Sequence, residues 1–241
     1  QSTAQLEFWE TYKIEEVGQY LMPVEEALKN TEVAVKAAPT KTTGIDSLLT
    51  DKADTTAAPA NSPFLGKMLA PGQQGAPHVG TFATKDTAAI NGYLKRADIK
   101  ALLPANLANI RFAWGKTNAK TPDVTDLYAL KGTRDNVAPL SGGVIVDARD
   151  TFDQLGKPAV SMQMNGNGAR KWEQITGAVS QQGNAIAIVL DNIVYSAPGV
   201  SKGAITGGQS EISGNFTIEE TKDLANILRA GKLPAAAEIV Q

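Results

Sequence analysis

The chain of 241 residues has no cysteine and only one histidine, and both shortages restrict its chemistry. Without cysteine there is no disulfide, no zinc–thiolate site and no thiol nucleophile. The histidine, His78, precedes a predicted strand at residues 79–84, so we expect it to be a loop residue. The alternative, a catalytic base or metal ligand, needs partners placed in space, and the sequence has no G-x-S-x-G nucleophile elbow.

Long apolar runs and a strong charge of either sign are also missing. No run of about 18 apolar residues occurs, so we expect no helix that spans a bilayer. The net charge of -2 creates no general field to attract nucleic acid or an anionic membrane. With 42% hydrophobic and 20% charged residues, the composition is typical of a globular protein of one or two domains. No signal peptide is recognisable, and we expect Gln1 to be an arbitrary edge of a longer chain.

Residues 185–198 predict a β-hairpin. Residues 185–190 are an apolar, β-branched run of the kind that forms a strand buried on both faces. Asp191 and Asn192 tolerate the positive φ that a two-residue turn needs. Residues 193–195 form the returning strand, which ends before Pro198 because proline cannot donate to a sheet ladder.

Alternation and helical spacing predict the other elements. We expect strands at residues 3–12, 79–84, 110–116, 125–131, 157–164, 203–205, 211–214 and 236–240, with another after Leu140. Helices are predicted at residues 14–31, 63–69, 86–103, from Gly168 to about Ser180, and from Thr217 to a C-cap at Gly231. Pro23 predicts a kink or a break in the first helix.

Helix starts and one polar segment complete this prediction. Asp86 is the expected N-cap of the helix at residues 86–103. The alternative to this single helix is a second short helix that begins at Asp98. Thr217 and Glu220 have the spacing of a capping box. Residues 37–62 are rich in alanine, threonine, proline, lysine and aspartate, so they bury little apolar area to offset ordering entropy, and we expect a flexible insertion.

Three aspartates, Asp147, Asp150 and Asp153, follow one another at a spacing of three residues. A cation site is one interpretation of this spacing. Calcium, however, takes six or more oxygen ligands from a shaped loop, and Arg149 lies among these carboxylates. We therefore expect the solvated end of a strand.

The remaining candidates have structural explanations. Asn-Gly-Asn-Gly at residues 165–168 is expected to be a turn, with anion binding by backbone N–H groups as the alternative. Thr217 is better explained as a helix cap than as part of a glycosylation sequon at residues 215–217. The expected core includes Trp9, Trp114, Trp172, Met162 and Met164, and the expected solvent side of the last helix includes Lys222 and Arg229. The sequence thus predicts no catalytic, cofactor-binding or metal-binding residue, and the substrate-binding residues stay unknown.

Four segments resemble the SecD family, accessory subunits of the bacterial Sec protein translocase. The hairpin, IVLDNIVYSAP, resembles a hydrophobic-Leu-Asp-Gly-x-hydrophobic-x-Ser-Ala-Pro segment, with Asn192 where glycine is usual. TAQLEFW is similar to the family's entry into its large extracytoplasmic domain. LSGGVIVDARDTFDQLGKPAVSMQMNGNGARKWEQIT resembles the middle of that domain, and ISGNFTIEETKDLANILRAGKLPAAAEIV resembles its exit. Residues 14–135 match no quoted family pattern.

The resemblance implies an α+β fold with antiparallel sheets and packed helices. A partial ferredoxin-like base would comprise residues 1–13 and 214–241, and an inserted α+β head would comprise residues 14–213. The strand at residues 236–240 would then share a sheet with residues 4–12.

The resemblance also implies a function. The chain would be a periplasmic domain of a multi-pass inner-membrane protein, anchored through segments absent from this chain. It would engage unfolded preprotein and, with SecF and the SecYEG translocon, assist export driven by the proton-motive force. No enzyme activity, cofactor or nucleic-acid partner is implied. A static docking module of the translocase and a small-ligand-binding domain are the alternatives.

Overall fold

The computed structural model describes residues 5–36, 62–118, 120–213 and 216–230. The strands are β1 (Leu6–Glu10), β2 (Met68–Pro71), β3 (His78–Ala83), β4 (Ile110–Gly115), β5 (Val124–Lys131), β6 (Leu140–Ser141), β7 (Ile145–Phe152), β8 (Pro158–Met164), β9 (Ile186–Leu190), β10 (Ile193–Ser196) and β11 (Gln209–Ser213). The α-helices are α1 (Ile14–Lys36), α2 (Thr87–Lys95), α3 (Ala97–Ala101), α4 (Gly166–Gln182) and α5 (Ile218–Ala230).

The strands form an eight-stranded sheet in the order β2-β3-β5-β4-β10-β9-β1-β6 and a three-stranded sheet in the order β11-β8-β7. All neighbouring strands are antiparallel except β10 and β4, which are parallel. The predicted α+β class with packed helices is therefore confirmed, with one parallel pair that the sequence did not indicate.

The predicted hairpin of β9 and β10 lies in the middle of the large sheet. Asp191 and Asn192 form its turn with φ values of 48° and 69°, as the two-residue loop requires. Strand β9 pairs along its whole length with β1, from Leu6 opposite Leu190 to Glu10 opposite Ile186. Because β9 is buried on both faces, its alternate side chains enter two different clusters of the core.

Helices α1, α2 and α3 pack on one face of β2, β3, β5 and β4, and we call this half of the protein the helical body. The predicted apolar stripe of α1 is buried, and its members are Val17, Tyr20, Leu21, Val24 and Leu28. Of the kink or break predicted at Pro23, the break is wrong, because α1 runs uninterrupted from Ile14 to Lys36, and the kink stays a prediction. Pro23 lies on the exposed side, and the buried stripe on both sides of it keeps the helix continuous.

The three-stranded sheet, α4 and α5 pack against β9, β1 and β6, and we call this half the mixed body. Trp172 of α4 meets Phe8 edge-to-face at 5.5 Å between ring centroids, and its Nε1 donates to Ser210 Oγ at 2.6 Å. Helix α5 covers one face of β7 and β8. The capping box is confirmed, because the Thr217 N–H donates to Glu220 Oε2 and the Glu220 N–H donates to Thr217 Oγ1.

Several local predictions need correction. The single helix predicted at residues 86–103 is wrong, whereas its alternative, a second short helix near Asp98, is confirmed: α2 and α3 are separated at Arg96, whose ψ of 140° is extended. Asp86 makes no cap hydrogen bond, because its carboxylate accepts from Lys67 Nζ at 2.8 Å instead. Residues 63–69 form only a 3₁₀ turn, Leu65–Lys67, before β2 begins. Residues 203–205 are not a strand.

The division into base and head stays a prediction. Strand β1, assigned to the base, has β9 on one side and the two-residue β6 on the other. Residues 236–240, the expected partner of that strand, lie outside the described residues. So do the C-cap at Gly231, Asn215 of the sequon, and residues 37–61 of the expected insertion.

Candidate functional site

The three aspartates do not converge on a cation site. Asp147 and Asp150 lie on opposite faces of β7, because their partners on β8 are Gln163 and Val160. Asp147 pairs instead with Arg149 at 2.6 Å on the exposed surface. Within the described ranges, no group of three or more acidic or histidine side chains is placed to hold a metal.

Asp153 organises the turn between β7 and β8. Its Oδ1 accepts hydrogen bonds from the N–H groups of Leu155 at 2.8 Å and Lys157 at 2.9 Å. The Gly156 N–H donates to Asp153 O, and Gly156 has a φ of 74°, which glycine adopts without strain. Asp153, one of the three aspartates considered for a cation site, thus fixes a tight hairpin turn.

This turn exposes apolar side chains. Phe152 is 60% exposed at the end of β7, and Leu155 in the turn is 81% exposed. Ile218, the first residue of α5, is 52% exposed and follows β11, whose last residue Ser213 pairs with Ala159 at the same end of the sheet. We call Phe152, Leu155 and Ile218 the apolar tip. Isolated exposed hydrophobic residues are ordinary, whereas a group of them is a candidate binding surface.

Strand β7 is an edge strand in the described part of the chain. The Asp153 N–H donates to Lys157 O, so this pair is hydrogen-bonded across the hairpin. Along an antiparallel ladder such pairs alternate with pairs whose backbone groups point outward. The N–H and C=O groups of Ala148, Asp150 and Phe152 therefore point away from β8, and Val146 of the same strand has a further interaction partner.

The other predicted candidates have structural roles. His78 is the first residue of β3, and its ring meets that of Tyr128 edge-to-face at 6.1 Å. The turn predicted at residues 165–168 is wrong, because α4 begins at Gly166, and Asn165 caps the helix by accepting from the Gly168 N–H at 2.8 Å. The residues Trp9, Trp172, Met162 and Met164 are buried as predicted, Trp114 is half-buried, and Lys222 and Arg229 are exposed.

Two clefts have polar linings. One, of about 710 Å³, lies between the first turn of α1 and the end of α4. At its wall, Lys13 Nζ donates to Gln182 O at 2.5 Å, and Lys131 Nζ contacts Glu10 Oε1 at 2.5 Å and Gln182 Oε1 at 2.7 Å. These bonds join α4 to β1 and β5, so the charged groups already have partners. The second cleft, of about 300 Å³, lies on the polar face of the three-stranded sheet.

Sequence reasoning missed the apolar tip. Phe152, Leu155 and Gly156 belong to the segment FDQLGK, which follows the strand predicted after Leu140 and leads into the strand predicted at residues 157–164. The signal would have been two large apolar residues next to a turn whose aspartate and glycine lie three positions apart. Such a turn holds its side chains at the surface, where apolar groups gain nothing from folding.

Residues 127–235 match the family model described as the P1 head subdomain of SecDF. The protein translocase subunit SecD of Rhodothermus marinus is 42% identical over 167 residues, which are 67% of this chain and 25% of that protein. The chain belongs to the SecD/SecDF family.

Further SecD/SecDF relatives match shorter parts of the chain. The protein translocase subunit SecDF of Thermus thermophilus is 43% identical over 102 residues, 42% of this chain and 14% of that protein. A solved structure described as "a membrane component SecDF that enhances protein export" is 25% identical, covering 98% of this chain and 99% of its own at a TM-score of 0.37. The chain thus spans about a quarter or less of the curated relatives named here. None of its described helices is long and apolar enough to cross a membrane.

The P1 head match includes the whole mixed-body sheet. Strands β7, β8 and β11, helix α5 and the apolar tip all lie within residues 127–235. Helices α1 to α3 of the helical body lie outside the matched residues. The candidate site therefore belongs to the part of the chain that the P1 head model describes.

Proposed function

We propose that this domain engages a translocating preprotein on the outer side of the cytoplasmic membrane. The whole protein, with SecF and the SecYEG translocon, would then use the proton-motive force to complete export. The proposed role is binding and release of an unfolded chain, with no catalytic step and no cofactor.

The apolar tip is the observation that carries this proposal. An unfolded preprotein exposes apolar side chains that a folded protein buries, so a receptor needs exposed apolar groups. Leu155 is held outward by the hydrogen bonds of Asp153, so no reorganisation of the turn is needed for contact. A small surface of this kind favours weak binding, because affinity depends on a few well-placed anchors. Weak binding suits a translocase, which must release its client.

The membrane potential can supply the energy for release. Moving one elementary charge through 100 mV is worth about 2.3 kcal/mol. A ligand or field shifts a two-state equilibrium only by its differential free energy for the two states, and a few kcal/mol suffices. We propose that proton flow through membrane segments absent from this chain moves the domain between two orientations.

Site-specific photocrosslinking tests the proposal. A photoreactive residue replaces Leu155 in the full-length protein in membranes, while a preprotein is stalled in the translocon. The matched control replaces Met22, an equally apolar side chain that is 66% exposed on α1 of the helical body. We expect an adduct with the preprotein from position 155 and little from position 22.

Two results would contradict the proposal. Adducts from position 155 with another translocase subunit, independent of preprotein, would support a static docking module instead. Equal preprotein adducts from positions 155 and 22 would mean that the client merely passes both halves of the domain. Either outcome removes the functional role of the apolar tip.

A further inference from the structure

We propose that the helical body and the mixed body move as one rigid unit, because five strands drawn from both bodies close into a ring. This inference rests on the proposed function, since it specifies how the domain passes between its two orientations. The hinge of that movement then lies outside the two bodies. A displacement applied to either body therefore reaches the apolar tip undiminished.

The ring closes because the chain directly after β1 turns back to the other half of the large sheet. Strands β5, β4, β10, β9 and β1 are successive neighbours in that sheet. Thr11, which follows β1, forms an antiparallel bridge with Leu130 of β5, and the Tyr12 N–H donates to Ala129 O at 2.8 Å. The end of the series thus contacts its beginning, and the five strands enclose an interior as in a small barrel.

Each strand of the ring contributes at least one buried residue to this interior. The members are Trp9 of β1, Ala113 of β4, Leu130 of β5, Ala187 and Val189 of β9, and Val194 of β10. Trp9, the largest of them, is fully buried. Because protein interiors are close-packed, sliding one side of the ring past the other would open voids around the Trp9 indole.

Arg111 of β4 closes one end of the ring. Its guanidinium lies 4.8 Å from the centre of the Trp9 ring, and its Nη1 is 3.2 Å from Glu7 Oε2. The same carboxylate oxygen accepts from Trp9 Nε1 at 2.8 Å, and Arg111 Nη2 donates to Asn192 Oδ1 in the β9–β10 turn. One planar, charged group of the helical body is therefore bonded in fixed directions to two elements of the mixed body.

Two junctions on different sides of the interior connect the bodies. At the first, β4 pairs in parallel with β10, the hairpin partner of β9. At the second, Thr11 bridges to Leu130 while its N–H donates to Ala185 O, next to β9, at 2.9 Å. An open sheet can bend about a single junction, whereas a closed ring bends only if one of its two junctions breaks. Packed cores of this kind do not deform continuously.

Distances between spin labels test the rigid unit in the full-length protein in membrane vesicles. The 241-residue chain has no cysteine, so introduced cysteines are its only labelling sites, and any cysteine elsewhere is replaced. The test pair, Met22→Cys with Gln154→Cys, joins exposed positions of the two bodies, and the reference pair, Gln154→Cys with Glu173→Cys, lies within the mixed body. We expect the proton-motive force to leave both distances unchanged while it alters the distance of position 154 from labelled lipid headgroups.

A proline variant shows whether ring closure causes the rigidity. Tyr12→Pro removes the N–H that donates to Ala129 O, whereas the matched control Tyr12→Phe keeps this N–H and loses the hydroxyl that donates to Asn106 O. We expect Tyr12→Pro to broaden the distance distribution between positions 22 and 154 and Tyr12→Phe to leave it narrow. Circular dichroism melts check the fold, and Arg111→Ala, which frees one end of the ring, replaces Tyr12→Pro if that variant does not fold. Equally narrow distributions in the opened and control variants would overturn the ring as the cause.

The remaining outcomes separate this inference from client engagement. A shift of the distance between positions 22 and 154 under the proton-motive force, with the reference pair unchanged, would overturn the rigid unit, while preprotein adducts from position 155 would still support client engagement. Unchanged label distances without such adducts would support the rigid unit and refute client engagement. If position 154 also keeps its distance from the headgroups, the domain does not change orientation, and this inference falls with that part of the proposed function.

Discussion

The helical body and the mixed body share one large sheet, but their outermost strands differ. In the helical body the outermost strand, β2, is short, bulged and closed by Pro71. In the mixed body, among the described strands, the eight-residue β7 is the outermost strand of the small sheet and leads into a hairpin with exposed Phe152 and Leu155. Both bodies bury a comparable apolar core, so the difference lies at their margins.

This difference shows where a binding surface is compatible with folding. A buried core is needed in both bodies, whereas outer strand edges and exposed apolar side chains contribute nothing to the isolated fold and carry a risk of aggregation. Charged residues on β7, including Asp147, Arg149 and Asp150, are a common protection against such aggregation. The margins of the two bodies therefore differ more than their cores, and the following measurements test the contrast between the two bodies.

Matched core truncations should have the largest effect. Leu28 of α1 and Leu228 of α5 are both almost fully buried, one in each body. Replacing either with alanine removes the same atoms and leaves a cavity, so we expect each variant to lose about 3 kcal/mol of unfolding free energy. Because the two bodies share a sheet, one denaturation transition should shift in both cases. Two separate transitions in urea titrations followed by circular dichroism would mean that the bodies fold independently.

Alkaline pH should destabilise the protein through tyrosines that contact the helical body's half of the large sheet. Burial raises the pKa of Tyr20 to about 12, and burial followed by the charge of Asp126 raises the pKa of Tyr128 to about 12. Unfolded tyrosine ionises near pH 10, so their contribution is complete below pH 10 and is lost as the pH rises from 10 to 12. We expect a loss on the order of 2 kcal/mol.

Tyr20→Phe provides the control for this pH dependence. The variant loses the hydrogen bond from the tyrosine hydroxyl to Ile99 O but has no group to ionise at that position. Its unfolding free energy, measured by urea titration at several pH values, should fall less between pH 10 and 12 than that of the natural sequence. An identical fall would assign the effect to other groups.

Loss of the α5 cap should have a smaller effect, confined to the mixed body. Thr217→Ala removes the hydroxyl that accepts from the Glu220 N–H at 3.2 Å, and we expect a loss of about 1 kcal/mol. Thr217→Ser keeps the acceptor and should remain within a few tenths of a kcal/mol. Thermal melts of the two variants measure this difference, and equal melting temperatures would show that the cap does not stabilise α5.

The smallest effect should come from the central hairpin, where the bodies meet. Asn192→Gly puts the usual family residue into the turn and relieves a left-handed backbone, but it removes the side-chain acceptor for Arg111 Nη2. These effects oppose each other, so we expect a change of less than about 0.5 kcal/mol in chemical denaturation. A loss above about 1 kcal/mol would show that the Arg111 contact dominates.

Local patterns predicted much of the fold. The positive-φ turn at Asp191 and Asn192, the apolar stripe of α1 and the capping box of α5 each depend on residues close together in the chain. Their stabilising interactions lie within a few residues, so the sequence alone contains the information. The break at Pro23 was mispredicted for the opposite reason. Packing of the stripe against distant strands outweighed the local preference of proline.

By itself, the sequence determined the family, the α+β class and most strands and helices, because these follow from short motifs and periodic apolar residues. Only the tertiary structure decided which strands pair. It set β4 parallel to β10 and, among the described strands, placed β7 outermost in the small sheet, next to a turn with exposed Phe152 and Leu155. An edge strand can be identified only when the pairing of the other strands is known, because no residue type marks such a strand. The candidate site was therefore beyond the reach of pattern and spacing.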